Sequence, residues 1–274
     1  MMTTEQMYKL LLIFVLLLQM HITLVASFCP AKCKCDGDYH LHAACIGADL
    51  DVVPIQLNPD VKYINLTKNR ITNVHFTLAF YTKLETLDLS INHIDTLGTK
   101  NFESQIELQR LYLNTNIITG LLKDTFRGLI NLLFLDLSKN FIEEIHTTAM
   151  LDLKKLKYLN LADNRILSMN SDTIFQHLYK LETLLFYNNQ LLEIPSTNLA
   201  HLNSLLKLDL SGNLIELIQN DSFNSLTNLN ELQINGNIIG DIELNSFHDL
   251  SKLQNLTLAD NNLTVNIINI SAYR

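Results

Sequence analysis

From residue 61 to residue 263, apolar and polar positions recur in one phrase, L-x-x-L-x-L-x-x-N-x-L, in which other apolar residues can stand for leucine. It reads VKYINLTKNRI (from 61), LETLDLSINHI (84), LQRLYLNTNII (108), LLFLDLSKNFI (132), LKYLNLADNRI (156), LETLLFYNNQL (181), LLKLDLSGNLI (205), LNELQINGNII (229) and LQNLTLADNNL (253). Its asparagines are Asn69, Asn92, Asn116, Asn140, Asn164, Asn189, Asn213, Asn237 and Asn261, spaced by 24 residues except for one step of 23 and one of 25. Nine copies in phase define a repeat solenoid, in which each unit buries its apolar face only by stacking on its neighbours. The alternation within L-x-L has period two and predicts a short strand in every unit. Equivalent strands stack in parallel, with the leucines inward and the letters between them outward.

After each strand the chain turns back sharply and exposes backbone donors and acceptors to a dry interior. Asparagine carries both a carbonyl and an amide on a short side chain, so the nine are read as a structural ladder. The second half of each unit supplies an apolar residue (Leu97, Leu121, Ile145, Met169, Ile194, Ile218, Ile242), then a bulky one (Phe102, Phe126, Met150, Phe175, Leu199, Phe223, Phe247), then usually a leucine three further on (Leu129, Leu153, Leu178, Leu202, Leu226, Leu250). This half is expected on the convex side as short helix, 3₁₀ turn or irregular chain. The fold class is therefore an α/β repeat solenoid, a horseshoe with a parallel concave sheet.

Composition agrees. Of the 274 residues 47% are apolar and 18% charged, enough for a sizeable core, and glycine (8) and proline (4) are scarce. The net charge of −8 offers no basic footprint for nucleic acid, so no nucleic-acid partner is expected. Residues 1–27 read as a signal peptide: Lys9 precedes the apolar run Leu10–Leu18, and Val25 and Ser27 suit cleavage after Ser27. A retained signal anchor is the alternative, but that run is short for a bilayer; no later stretch is long and apolar enough to span one. All four cysteines, Cys29, Cys33, Cys35 and Cys45, fall in CPAKCKCDGDYHLHAAC. A Cys33–Cys35 bridge would strain its geometry. Two pairings remain, Cys29–Cys33 with Cys35–Cys45 or Cys29–Cys35 with Cys33–Cys45; a four-thiolate zinc site competes with both. Export favours disulfides.

The 24-residue rhythm with its Phe, together with CPAKCKC, Cys45 and LDVVP at 50–54, resembles the typical class of extracellular leucine-rich repeats found in Slit, Toll ectodomains and small leucine-rich proteoglycans. The resemblance covers residues 29 to about 263 and is specific for fold rather than function. It implies a cysteine cap with Cys29–Cys35 and Cys33–Cys45 bridges and a small hairpin over the first coil. The organisation expected is a signal peptide (1–27), an N-terminal cap (28–57), nine repeats (58–265) and an uncapped tail (266–274). The chain departs from the family at its far end, where Asn266 and Ser271 replace core residues and no second cysteine cap follows. A solenoid needs a cover on each terminal coil, so Leu256, Leu258 and Leu263 require truncation, a tail lid or another chain to explain them, and self-association through this end is one expectation.

Candidate chemistry lies in the outward letters. Sequons occur at Asn65, Asn220, Asn255, Asn262 and Asn269; Asn65 and Asn255 lie on outward strand letters near the two ends of the sheet. Positions 3, 5 and 7 of the phrase form three columns, and their large residues concentrate in repeats three to six. The candidate binding face comprises Arg110, Tyr112, Phe134, Asp136, Tyr158, Asn160, Leu185 and Tyr187, the composition of a protein-binding hot spot, although aromatics also simply favour strands. Asp88, Asp136 and Asp209 read mainly as solubilising. Asp36, Asp38, His40 and His42 could suggest a metal, but the residue types are ordinary for a surface and no metal is expected. No nucleophile–base motif, Walker loop or dinucleotide fingerprint is present, so neither an enzyme nor a cofactor is expected. The leading reading is a secreted or extracellular module that binds a protein ligand or receptor on its concave face. The alternatives are an adhesive or matrix protein that self-associates, or a fragment of a Toll-like or leucine-rich repeat receptor ectodomain whose anchor lies elsewhere.

Overall fold

A computed structural model describes residues 29–36, 41–169 and 171–263. The proposed signal peptide, the sequon at Asn269, the tail 266–274, Asp38 and His40 lie outside these. The strands among the described residues are, in chain order, β1 (Lys34–Asp36), β2 (His42–Ala44), β3 (Tyr63–Asn65), β4 (Thr86–Asp88), β5 (Arg110–Tyr112), β6 (Gly120–Leu121), β7 (Phe134–Asp136), β8 (Glu144–Ile145), β9 (Tyr158–Asn160), β10 (Thr183–Leu185), β11 (Lys207–Asp209), β12 (Leu217–Ile218), β13 (Glu231–Gln233), β14 (Asp241–Ile242) and β15 (Asn255–Thr257). Eleven form one sheet in the order β1-β2-β3-β4-β5-β7-β9-β10-β11-β13-β15. All its pairings are parallel and in register except the antiparallel cap hairpin β1–β2. Each repeat contributes one strand at positions 3 to 5 of its phrase.

The returning halves carry little helix. One 3₁₀ turn (Thr77–Phe80) and one single-turn helix, α1 (Ser196–Leu199), are found there. Elsewhere the chain runs in turns and in two short parallel pairs, β6–β8 and β12–β14. Stacking at one coil per rung leaves too little chain in a 24-residue unit for longer helices. The core between the two sides is continuous. The inward strand residues Ile64, Leu87, Leu111, Leu135, Leu159, Leu184, Leu208 and Leu232 and the convex residues Leu97, Phe102, Phe126, Met150, Phe175, Leu199 and Phe223 are all buried, whereas Leu256 of the last described coil is exposed. Ring contacts join successive coils, Phe102 to Phe126 at 6.3 Å and Phe223 to Phe247 at 5.8 Å. The first repeat is one residue short, and Gln105 stands where later repeats have leucine. It is fully buried, and its amide donates to Leu78 O at 2.7 Å.

The asparagine ladder runs without a break. Asn140 donates to Leu113 O of the preceding coil and Leu137 O of its own, both at 3.0 Å, and accepts from the preceding Ile118 N–H at 3.1 Å. The other eight repeat the pattern, from Asn69, which reaches Cys45 O and Leu50 N–H in the cap, to Asn261, which reaches Ile234 O and Ile239 N–H. From Leu66 to Ile234 each linking carbonyl thus receives two amides, one from its own coil and one from the next; Leu137 O is bonded by both Asn140 and Asn164. The residue before each asparagine adopts positive φ: Lys68, Ile91, Thr115, Lys139, Asp163, Asn188, Gly212, Gly236 and Asp260. Only two are glycine. At Ile91 (φ 54°) a β-branched side chain occupies a region costing about 1–2 kcal/mol, so ladder and packing outweigh local strain there.

The cap is a degenerate coil. β2 adds to the main sheet alongside β3, Cys45 is buried where later repeats have the third leucine, and Ala48 stands in the place of asparagine, its N–H bonded by Asn69 Oδ1 at 2.9 Å. Disulfides Cys29–Cys35 and Cys33–Cys45 fasten the outer strand and the entering chain to this coil.

Replacing Asn140 by alanine orphans the buried Ile118 N–H and leaves Leu113 O and Leu137 O with one amide each. A loss of roughly 3 kcal/mol is expected from the unsatisfied donor and the void, read as a lower urea midpoint. The same change at the half-buried Asn261 should cost clearly less.

Candidate functional site

In-register stacking places the same phrase position of successive repeats about 4.8 Å apart. Two aromatic residues at position 3 of adjacent repeats must therefore meet face to face. Phe134 and Tyr158 do so, with ring centroids 4.4 Å apart and planes within 5°. Tyr112, at position 5 one coil earlier, meets the other side of Phe134 at 4.9 Å, tilted by 41°. The result is a continuous aromatic run across β5, β7 and β9 on the concave sheet. Arg110 lies directly beside Phe134 in the third column, and Tyr112, Asp136, Asn160, Leu185 and Asp209 succeed one another in the fifth. Tyr187 stands in the seventh column beyond Leu185. Arg110 is exposed, and Tyr112, Phe134, Asp136, Tyr158, Leu185 and Tyr187 are half-buried.

Asn160 is different. It is 7% exposed, and its carbonyl oxygen accepts the Ala162 N–H at 3.0 Å. The structure uses it to close a turn. The polar residues of this column share the motif. Asp136 Oδ1 accepts the Ser138 N–H at 3.0 Å and its O–H at 2.7 Å; Asp88 does the same for Ser90, and Asp209 accepts the Ser211 N–H at 3.0 Å. Asn65 receives the Thr67 N–H and O–H, and its own amide donates to Tyr63 Oη at 3.2 Å. The aspartates that read as solubilising are thus turn-closing groups, and the recurring D-x-S, N-x-T and N-x-A letters are the signal for this. The seventh column is correspondingly less available than simple alternation implies, because Ser90, Ser138 and Ala162 are buried where the chain already curls inward.

The concave face also begins earlier than the nine phrases suggest. His42 on β2 packs against Tyr63, with ring centroids 5.8 Å apart. The signal was present in HLHAACIGADL (40–50), an eroded tenth phrase with cysteine for leucine and alanine for asparagine. Towards the other end, Lys207 pairs with Glu231 at 2.9 Å. Asn255 and Asn262 are exposed, as is Asn220.

Burial raises the titration of Tyr112, Tyr158 and Tyr187 above the ordinary 10.0, because a phenolate would be poorly hydrated there. Nearby carboxylates add to this, Asp88 and Asp136 at Tyr112, Asp136 at Tyr158, and Asp163, Asp209 and Asp136 at Tyr187, while Arg110 opposes it at Tyr112. Asp136 is within electrostatic reach of all three hydroxyls. Beneath the convex side, burial drives Tyr81 up to about 12; its hydroxyl donates to Pro54 O. Among the described residues, no three metal-binding side chains converge, and no helix is long and apolar enough to cross a membrane.

A parallel coil stack with an asparagine ladder and a disulfide-fastened end defines a class, and comparison with known proteins agrees. The leucine-rich repeat family model matches residues 106–166 and 207–263. Human oligodendrocyte-myelin glycoprotein is 36% identical over 73 residues, which are 27% of this chain and 16% of that protein; the mouse protein matches to the same extent. Of the solved structures, the crystal structure of the TLR13-ssRNA13 complex aligns with a TM-score of 0.70 and 29% identity over 77% of this chain and 30% of that one. A chain of the octameric complex of Latrophilin 3, Unc5D and FLRT2 (LRR) aligns at 0.73 and 24%, covering 85% and 84%. The Drosophila Toll–Spatzle complex aligns at 0.67 and 24%, covering 73% and 27%. The last two likenesses concern the fold alone. The chain is a leucine-rich repeat solenoid with a disulfide-bonded N-terminal cap, and it resembles extracellular proteins of the leucine-rich repeat family. Its matched segment spans about one sixth of the curated relatives. The fold is a protein-interaction scaffold, and its disulfides suit an oxidising extracellular compartment.

The raised tyrosines give a signed pH dependence. Below pH 10.0, the ordinary tyrosine value, their contribution to stability is complete. As pH rises from 10 towards about 12, unfolded tyrosines ionise before Tyr81 and the concave three, so unfolding releases protons and stability falls. Unfolding free energies measured by urea titration across that window should decline with pH, less steeply in Tyr81→Phe.

Proposed function

We propose that this protein recognises an extracellular protein partner on its concave sheet, at the face built from Arg110, Tyr112, Phe134, Asp136, Tyr158, Leu185 and Tyr187. The observation that carries this reading is the continuous Tyr112–Phe134–Tyr158 contact on a rigid sheet. Large, preorganised aromatic surface loses little conformational entropy on binding, and such residues dominate protein interfaces. The net charge of −8 and the aspartates of the fifth column favour a protein over a nucleic acid. The proposed role is binding, without catalysis, metal or cofactor. Glycans at Asn65 and Asn255, at the two ends of the sheet, would confine the partner to the middle coils. Those at Asn220, Asn262 and Asn269 would keep the outer surface and the far end solvated. Secretion goes with the signal peptide proposed for residues 1–27; retention of that segment as an anchor, or an anchor outside this sequence as in a receptor ectodomain fragment, would instead hold the protein at the cell surface.

Self-association through the last coil is a second reading, favoured by one observation. Among the described residues, β15 has a strand neighbour on one side only, and Leu256 beside that edge is 40% exposed.

Binding of the wild-type chain to an array of extracellular domains identifies partners, and Tyr112→Ala with Tyr158→Ala should weaken each by roughly tenfold or more with the urea midpoint little changed. Unaltered affinity would remove this face as the binding site. Sedimentation at rising concentration separates the second reading: a monomer throughout excludes it, whereas a mass that doubles and reverts in Leu256→Glu supports it.

A further inference from the structure

In the middle of the concave face large outward residues stand beside small buried ones. Ser138 and Ala162, the seventh-column residues of two adjacent repeats, are covered, as is Asn160. Tyr112, Phe134, Tyr158 and Tyr187 on the same coils are half-buried. Asp136 sits among them, flanked along the fifth column by Tyr112 and Asn160. Its Oδ1 closes the turn to Ser138, while Oδ2 has neither a hydrogen bond nor an ion pair among the described residues. Among the described residues no ion pair reaches it: Lys207 is spent on Glu231, and Arg110 lies beside Phe134 in the third column without an ion pair.

We infer that the space over Asp136 between these large residues is a notch that receives a cationic side chain, arginine or lysine, from a basic segment of the partner protein, with Asp136 as its counter-ion. The inference rests on the concave-face reading and names the chemistry of that same site. Its support is charge complementarity. A half-buried carboxylate with an unused oxygen is costly to cover with an apolar or acidic partner, whereas a cation gains the charge pair. The neighbouring Asp163 and Asp209, which act on Tyr187, extend the same sign of potential across the next coils. Arg110 marks the opposite border, where a like charge would direct an incoming cation towards coils four to six. A bare metal ion is a poorer fit, because no three metal-binding side chains converge there among the described residues.

The variant that tests this is supplied by the fold itself. Asn65 and Asn160 close the same turn at the same phrase position that Asp136 closes, so Asp136→Asn removes the charge and retains the turn. Asp241→Asn, in the separate β12–β14 pair where Asp241 Oδ1 accepts a backbone N–H, removes an equal charge elsewhere. The probe is a synthetic peptide of alternating arginine and serine, with citrulline–serine as its neutral counterpart, titrated into the intact disulfide-bonded chain. With nine tyrosines and no tryptophan, intrinsic tyrosine emission reports binding directly. The arginine peptide should bind saturably and weaken as salt rises, the citrulline peptide should not bind, and Asp136→Asn should reduce affinity roughly tenfold while Asp241→Asn does not. Equal loss in both variants, equal binding of the two peptides, or no effect of Asp136→Asn overturns the inference. The two readings fail separately. Loss of array partners on the paired tyrosine substitutions without any effect of Asp136→Asn keeps the concave face and ends the cation notch. The reverse result keeps the notch and ends the concave face as the protein-binding site.

Discussion

The structure depends on one bond pattern, the asparagine side chain that reaches both its own turn and the turn before it. A coil of 24 residues cannot form the internal hydrogen bonds of a helix and has only three strand residues to share with each neighbour. Its turn would leave buried N–H and C=O groups without partners, and each such group costs on the order of 1–3 kcal/mol. The amide at position 9 removes that cost at every level, and because it links consecutive coils it also fixes their register. Asn69 extends the linkage into the cap, where Cys45 and Ala48 supply the backbone partners in place of a full repeat. The positive-φ residue before each asparagine is a consequence: the turn must be tight enough for the amide to reach inward, and even Ile91 is held in it.

Register then decides the surface. Because coils stack without slip, position 3 of one repeat lies beside position 3 of the next, and an aromatic pair one repeat apart in the sequence becomes a stacked pair in space. Phe134 and Tyr158 are 24 positions apart in the chain and 4.4 Å apart as rings. The same rule separates roles within a column. Asp136 and Asn160 are neighbours in the fifth column and close the same turn, yet Asn160 is buried whereas Asp136 is half-buried and keeps one oxygen without a hydrogen bond. The surface proposed for recognition is thus a by-product of a ladder that recognises only itself, and it consists of the few letters the ladder leaves open.

Most of the architecture was legible in the chain. The 24-residue period, the inward leucines, the ladder asparagines and the convex aromatics each follow from a periodicity that physical packing requires. Less legible was the tenth, eroded phrase at 40–50, because His40, Ala43 and Cys45 stand at its leucine positions and Ala48 at its asparagine, and a disulfide at Cys45 fastens the coil instead. The Asp-x-Ser turns were visible as letters but not as bonds, since an aspartate on an outward strand position reads equally well as a solvated charge. The near absence of helix on the returning side was also not evident, because short apolar runs there fit helix, 3₁₀ turn and extended chain alike.

By itself the sequence determined that the chain is a stack of nine equivalent coils with a covalently fastened beginning, because repeated chemistry at a fixed period admits only that kind of burial. Tertiary structure alone decided which outward residues share a surface, which of them are consumed by local turns and how deep each lies. Those properties depend on curvature and on contacts between residues one repeat apart, and no single phrase contains either.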